Sequence, residues 1–192
     1  PAAPVNYSGD IHIYMAIRRG PLAPPESATE VFAADLSPNS NNPRFISGFV
    51  TDLGMQRRRT SSGVEGMYVT SRLTQNKYLH TGMNIAESST STMDMDYMNG
   101  FDDDGDTSTE YVAHMWKRAP GYFDATAYSG NGTAGRTVSH NLGVVPEMMW
   151  VKNRSASSHW QVYHKSLNGG TNPANYWLKL NDVDAEAALS NK

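Results

Sequence analysis

The chain has 192 residues, a formal net charge of −3 and no cysteine, so it can bury one substantial core or two small ones, and disulfides and thiolate zinc sites are excluded. Its basic clusters are short and no apolar run reaches ~18 residues, so neither nucleic-acid binding nor membrane insertion is expected. Only 18% of the residues are charged, a balance that favours strands and turns over helices.

The N-terminal part, residues 1–117, is predicted to be β-rich. Its first residue is proline, which favours the interpretation that the sequence is a piece of a longer protein. Residues 10–18 alternate between apolar and other side chains and predict a strand, with Ile11, Ile13, Met15 and Ile17 on one side. A proline-rich stretch after it predicts an extended connector. Further strands are predicted at 30–34, 45–53, 66–73, 77–81 and 111–117, with a hairpin joining 66–73 to 77–81, a loop at 57–66, and one short strand within 85–105.

A compact break at 118–121 is taken as the start of the C-terminal part, residues 118–192. Its predicted strands are bounded by glycine, asparagine or serine turns and lie at 122–128, 136–139, 147–152, 160–164 and 175–180. Residues 182–189 are either a helix capped by Asp182 or a frayed tail. Short strands at this spacing predict an all-β, antiparallel, β-sandwich-like fold, divisible into two β subdomains, with little or no helix.

A GxGxxG pattern at Gly130, Gly132 and Gly135 has the letters of a dinucleotide-binding loop. Such a loop must open directly into a helix, whose N-terminus binds the pyrophosphate. The residues that follow, RTVSHNLGVVP, are β-branched or turn-forming, and no acidic residue stands about twenty positions on. The pattern therefore predicts a hairpin turn and no nucleotide cofactor.

The acidic stretch FDDDGD offers Asp102, Asp104 and Asp106 as oxygen ligands suited to Ca²⁺. A standard EF-hand loop is excluded, because Thr107 and Ala113 stand where glycine and glutamate are required. An irregular calcium site and a solvated acidic turn are the two alternatives. No other cofactor or metal is expected.

No catalytic motif is present. The six histidines include no HExxH pair, and His159 and His164 are five positions apart, so on one strand they would point to opposite sides. There is no GxSxG nucleophile elbow. The sequence therefore predicts a protein that is not an enzyme.

Aromatic residues cluster in the C-terminal part and allow two interpretations. They are core residues, or they form a platform that stacks on sugar rings. Under the second interpretation the glycan contacts are Trp160, Trp177 and Tyr176.

Residues 116–167 resemble a recurrent module of tailed-bacteriophage structural proteins, which occurs in tail fibres and other virion surface proteins, many of them from marine and cyanobacterial phages. The resemblance rests on RAPGYFD at 118–124, HNLG with Pro146 behind it, and W-x-VYH at 160–164. Upstream, YMAIRRGP at 14–21 is similar to the segment that precedes the module in the same proteins. In HNLGVVP, Asn141 and Gly143 suit turn conformations, so the motif itself is typical of architecture rather than of an active site.

The resemblance implies a virion structural protein, part of a tail fibre or similar surface appendage. It would act by oligomeric assembly and host-surface contact, with a homotrimer and other virion proteins as its partners. It would be located in the virion, assembled in the host cytoplasm and then carried on the extracellular particle. Two alternatives stay open, a lectin-like module that binds host surface glycans and a polysaccharide depolymerase.

Overall fold

The computed structural model describes residues 23–36, 43–59, 66–74, 76–90, 92–103, 111–133 and 135–189. In these residues the chain is all-β and antiparallel, with thirteen strands in three sheets. The strands are β1 (Phe32–Leu36), β2 (Phe45–Ile46), β3 (Leu53–Arg58), β4 (Tyr68–Ser71), β5 (Lys77–His80), β6 (Ser88–Ser89), β7 (Met93–Asp94), β8 (Gly100–Asp103), β9 (Tyr111–Trp116), β10 (Met148–Val151), β11 (Gln161–His164), β12 (Tyr176–Lys179) and β13 (Ala187–Ala188). The helical pieces in the described ranges are 3-10 turns at Ala28–Glu30, Leu167–Gly170 and Pro173–Asn175. The predicted all-β, sandwich-like fold is confirmed.

The largest sheet has six strands in the order β1-β9-β3-β4-β5-β6. At its centre β3 and β9 pair over six residues, and β1 covers the far side of β9. The predicted hairpin is present as β4 and β5. In its turn Asn76 adopts a φ of 50°, a left-handed conformation that asparagine tolerates, and Thr74 donates its N–H to the Ser71 carbonyl.

One face of the six-stranded sheet is covered by the three-stranded sheet, whose order is β2-β8-β7. The rings of Phe45 and Phe101 are fully buried, with centroids 5.1 Å apart, and pack with Met115 of β9. Gly54 is required beneath them, because a Cβ there would lie 2.7 Å from the Phe101 ring. Two antiparallel sheets packed through such a core form the sandwich-like part of the fold.

The other face of the six-stranded sheet carries a second core. Met55, Val69 and Leu79 are cross-strand neighbours on β3, β4 and β5, so their side chains share one face. Trp160, which directly precedes β11, is buried in contact with this cluster. This contact joins the C-terminal part of the chain to the six-stranded sheet.

The C-terminal part forms a four-stranded sheet in the order β10-β11-β12-β13. The segment before β11 is hydrogen-bonded to residues 84–87. Ser158 donates its N–H to the Asn84 carbonyl, and Glu87 donates its N–H to the Arg154 carbonyl. Glu87 also pairs with the Arg154 guanidinium at 2.6 Å and with Lys77 at 2.9 Å. Every strand up to β9 lies in the first two sheets and every later strand lies here. The division into residues 1–117 and 118–192 as folding units stays a prediction.

Several predicted elements are wrong in detail. Residues 45–53 are not one strand, because the chain bends at Gly48, whose φ is 78°, between β2 and β3. Residues 122–128 and 136–139 have no strand partner beyond an isolated bridge between Ala119 and Phe123. Residues 182–189 are neither helix nor tail, since they include β13, which pairs with β12. The predicted strand at 10–18 lies outside the described residues.

Candidate functional site

The RAPGYFD and HNLG motifs meet in one hydrogen-bonded loop cluster. The carboxylate of Asp124, whose side chain is only 4% exposed, accepts hydrogen bonds from the Arg118 guanidinium at 2.5 Å and the Asn141 backbone N–H at 2.7 Å. Gly121 donates its N–H to the Leu142 carbonyl at 2.7 Å. Asp124 thus fixes two loops that are seventeen positions apart in the chain. The motif residues therefore hold separate stretches of backbone together.

The electrostatics of the cluster agree with this structural role. Burial would raise the pKa of Asp124, but the Asn141 N–H, the Arg118 guanidinium and the Ala125 N–H outweigh it, so the pKa lies below its ordinary value. Burial likewise opposes the lowering of the Glu87 pKa, which the hydrogen bonds and charges of Arg154 and Lys77 cause. Both carboxylates are therefore ionised and paired at neutral pH.

The glycine-rich stretch is exposed and leads into no helix. Gly132 and Gly135 adopt φ values of 72° and 73°, and a Cβ built on either would meet nothing within 4 Å. A hairpin was predicted here, but no described residue between 124 and 147 belongs to a strand. The stretch turns the chain without pairing it, and the predicted hairpin is wrong.

The edge strand β10 is the most unusual surface of the described chain. Its four residues are all apolar, and Met148, Met149, Trp150 and Val151 are 39–54% exposed. A typical edge strand carries a charge, a proline or a bulge that discourages pairing. The four residues of β10 include none of these features. Because neighbouring strand residues point to opposite faces, the strand exposes apolar side chains on both faces.

A shallow cavity of about 370 Å³ lies on one face of this sheet. The strand registers place Met149, Tyr163 and Trp177 in one row across β10, β11 and β12. This row lines the cavity together with Val151 and Leu189, and we call it the cavity face. Its lining is largely apolar, with Gln161, Tyr163 and Tyr176 as residues that carry polar side-chain groups.

The three predicted glycan contacts do not form one platform. Trp160 is 5% exposed, and its indole Nε1 donates to the His80 carbonyl at 2.8 Å, so its ring is a core element and not a stacking surface. This corrects the expectation for Trp160. Tyr176 and Trp177 both border the cavity and are partly exposed, but adjacent strand residues point to opposite faces. Of the three, Trp177 continues the row of Met149 and Tyr163 on the cavity face.

The calcium candidates are described only in part. Asp102 is buried on β8, opposite Asp94 of β7, whereas Asp104 and Asp106 lie outside the described residues. Within the ranges given above, no group of three or more His, Asp or Glu side chains is placed to hold a metal ion. The calcium site stays a prediction.

Among the histidines that the structure describes, the buried one is His80, which the sequence did not single out. It is 3% exposed, its Nδ1 accepts the Gly82 N–H at 3.2 Å, and its ring meets Tyr68 edge-on. Burial lowers its pKa. His159 and His164 have separate local partners, the Asn181 amide and the Ser166 N–H. The position of His80 inside the predicted strand 77–81 was the available signal for its burial.

Comparison with known proteins adds one match. A family model described as a domain of unknown function, DUF7483, matches residues 120–192, the part that holds the HNLG loop and the four-stranded sheet. No curated protein and no solved structure matches. In the described part of the chain no helix is long and apolar enough to cross a membrane. The chain is thus similar, over its C-terminal part, to a family whose function is not known.

Proposed function

We propose that the protein is a virion structural component, part of a tail fibre or similar appendage, that acts by assembling with further copies of itself. The observation that carries the proposal is the edge strand β10, with four exposed apolar side chains in a row. The resemblance of residues 116–167 to phage structural modules supplies the biological setting. The Asp124 loop cluster supports it further, because the motif residues serve as architecture.

The energetics of β10 favour assembly. Completely burying a Val or Met side chain contributes about 1.5–3 kcal/mol, so covering the exposed part of each β10 residue would contribute about 1 kcal/mol. A free edge also presents unpaired backbone N–H and C=O groups that a further strand can satisfy. A neighbouring copy would meet both needs at once.

Native mass spectrometry of the purified chain tests assembly directly. We expect a homo-oligomer, with a trimer as the favoured state, and a shift towards monomer when Val151→Lys adds a charge to the edge strand. Leu36→Lys, at an exposed position of the six-stranded sheet, is the matched control and should leave the number of chains in the oligomer unchanged. A chain that stays monomeric at micromolar concentration contradicts the assembly proposal.

The virion location needs its own experiment. Mass spectrometry of purified particles of the source phage should detect the protein at a copy number that is a multiple of its oligomeric state. Absence from purified particles would contradict the proposal, whatever the oligomeric state of the isolated chain.

Host-glycan binding is the second candidate, and the cavity face favours it. Trp177 and Tyr163 lie side by side there, and aromatic faces suit the apolar faces of sugar rings. We expect binding on an array of host polysaccharides to be lost with Trp177→Ala and kept with Tyr128→Ala, which changes an exposed tyrosine outside the cavity lining. Equal loss in both variants, or no binding by the unmodified chain, counts against this function.

The depolymerase alternative has a simple test. Incubation of the assembled protein with purified host polysaccharide would release new reducing ends if the protein were such an enzyme. No residue cluster in the described chain favours this activity over the other two, so we expect no release.

A further inference from the structure

The four-stranded sheet has an open edge on each side among the described strands. β10 forms one edge and β13 forms the other. Because every neighbouring pair in this sheet is antiparallel, its two outer strands run in opposite directions. A second copy whose sheet continues the first would therefore bring its β13 antiparallel to β10.

The outer edge of β10 presents defined backbone groups. Lys165 donates its N–H to the Glu147 carbonyl at 2.8 Å, which makes this cross-strand pair a hydrogen-bonded one. Such pairs alternate along an antiparallel ladder, so the N–H and C=O groups of Met148 and Trp150 point away from β11. The edge offers these groups to a further strand.

The outer edge of β13 presents backbone groups in the matching alternation. Leu189 donates its N–H to the Asn175 carbonyl at 2.7 Å, so the N–H and C=O groups of Ala188 point away from β12. A register that places Ala188 of one copy opposite Met148 of the other brings outward groups against outward groups. The two edges can therefore form a regular antiparallel ladder.

The two edges are also complementary in side-chain size. The four residues of β10 are bulky and exposed, whereas β13 and the residues before it carry small side chains at Ala185, Ala187 and Ala188. In this register the three alanines lie opposite Val151, Met149 and Met148. Opposed residues of an antiparallel pair are close neighbours, so alanine on one strand leaves room for the larger side chain on the other.

Lys152, directly after β10, is a cation at the end of this edge. Its Nζ donates to the Asn153 carbonyl at 2.6 Å, and it forms no ion pair with any residue that the structure describes. Burial lowers its pKa, so a carboxylate nearby would stabilise the charged form. Glu147 lies an odd number of positions away and so on the opposite face, which means that pairing two β10 strands would not supply that carboxylate.

The β13 edge does supply one. Asp184 and Glu186 precede β13, so antiparallel pairing carries both to the end of β10 at which Lys152 lies, with Asp184 opposite it in the register above. The Asp184 side chain pairs with Lys179 of its own chain and is 58% exposed, which leaves it open to a second cation. Charge thus favours β13 over a second β10 as the strand that pairs with β10.

We propose that β10 of one copy pairs with β13 of a second copy, so that the four-stranded sheets continue from chain to chain. This inference rests on the proposed assembly and names its contact. A contact between two different surfaces is head-to-tail, and it closes into a ring when the rotation between neighbours allows. The favoured trimer is then a ring in which no edge of the four-stranded sheet stays open.

Two proline variants of the full chain test the head-to-tail contact. Met148→Pro removes an outward N–H from β10 and Ala188→Pro removes one from β13, while the bonds to β11 and β12 remain, so we expect unchanged melting curves. By native mass spectrometry each variant alone should be monomeric. An equal mixture should form a heterodimer and nothing larger, because one variant keeps its β13 edge and the other keeps its β10 edge. Met148→Leu and Ala188→Ser, which keep the N–H, should retain the oligomer.

A cysteine pair tests the register, because the chain has no cysteine of its own. Met149→Cys and Ala187→Cys are placed in one chain, where three strand spacings of about 14 Å in total prevent a disulfide between them. Any disulfide therefore joins two chains. The control pair is Met149→Cys with Val183→Cys, a fully exposed position. We expect oxidation to link chains about tenfold more with the first pair, since contact raises the effective thiol concentration into the millimolar range.

The outcomes separate this contact from assembly in general. If Ala188→Pro melts like the unmodified chain and keeps its oligomer, this inference is overturned and the assembly proposal stands. Cross-linking no stronger than the control has the same meaning, and it decides alone if a proline variant melts at a lower temperature. A monomeric unmodified chain overturns both proposals.

Discussion

The substitution Trp160→Ala should separate the C-terminal sheet from the rest of the fold. Trp160 is 5% exposed, lies in one buried cluster with Met55, Val69 and Leu79, and donates a 2.8 Å hydrogen bond to the His80 carbonyl. Truncating a buried Trp to Ala costs about 3–5 kcal/mol, and leaving a buried acceptor without its donor costs about 1–3 kcal/mol in its own right. We therefore expect a loss of about 4 kcal/mol in the free energy of unfolding, which is a large share of a typical domain's stability.

Urea denaturation followed by far-ultraviolet circular dichroism measures this loss without relying on tryptophan fluorescence. The matched control is Trp177→Ala, which removes the same atoms from a partly exposed position and should cost less than about 1.5 kcal/mol. We expect the Trp160→Ala curve also to split into two transitions, because the contact between the two sheets is weakened. Equal losses in the two variants would refute the placement of Trp160 as the link between the sheets.

Three further predictions follow from buried groups. Burial lowers the pKa of His80, so the unfolded chain binds the proton first and stability should fall as pH drops below about 6.5. His80→Gln should remove this loss of stability, and a melting temperature that is flat from pH 7 to 5 would contradict the prediction. The pKa values of Asp124 and Glu87 are lowered, so their stabilisation is present above about pH 4 and is lost as pH falls through the folded values. Asp124→Asn should cost about 1.5–3 kcal/mol in the free energy of unfolding at pH 7, measured by urea denaturation, and should weaken the fall of stability at acidic pH. An unchanged fall at acidic pH would argue against the ion pair. Gly54→Ala should lose about 1–3 kcal/mol by overpacking Phe101, because its Cβ would lie 2.7 Å from that ring, whereas Gly130→Ala, with nothing within 4 Å, should be neutral; equal melting temperatures would refute the close contact.

Local patterns predicted the elements that local forces determine. The hairpin of β4 and β5 follows from an apolar run on each side of a turn with Asn76, and β9 to β12 follow from alternation and turn residues. The strand predicted at 45–53 fails because its two ends belong to different sheets. Phe45 pairs with Phe101 of β8 and Leu53 pairs with Trp116 of β9, so the partners that decide the break are distant in the chain. A positive φ at Gly48 allows the bend between the two ends.

The candidate site was less predictable because burial depends on tertiary packing. Trp160 and Trp177 look alike in the sequence, yet one lies in the core and the other on the cavity face. The role of Asp124 depends on a hydrogen bond from the Asn141 backbone N–H, seventeen positions away in the chain. No periodicity in the sequence indicates such a contact. The four apolar letters of β10 were visible in the sequence, but they are equally typical of a buried strand.

The bond from the Trp160 indole to the His80 carbonyl has a consequence for how such modules move between proteins. The matched stretch 120–192 contributes the indole, while the residues that receive it come from β3, β4 and β5 of the preceding part. A gene fragment that covers the matched stretch alone would therefore encode Trp160 without the residues that bury it. After recombination, such a fragment would fold stably only beside a sheet that can bury this indole. We therefore expect the two parts to be inherited together wherever the tryptophan is kept.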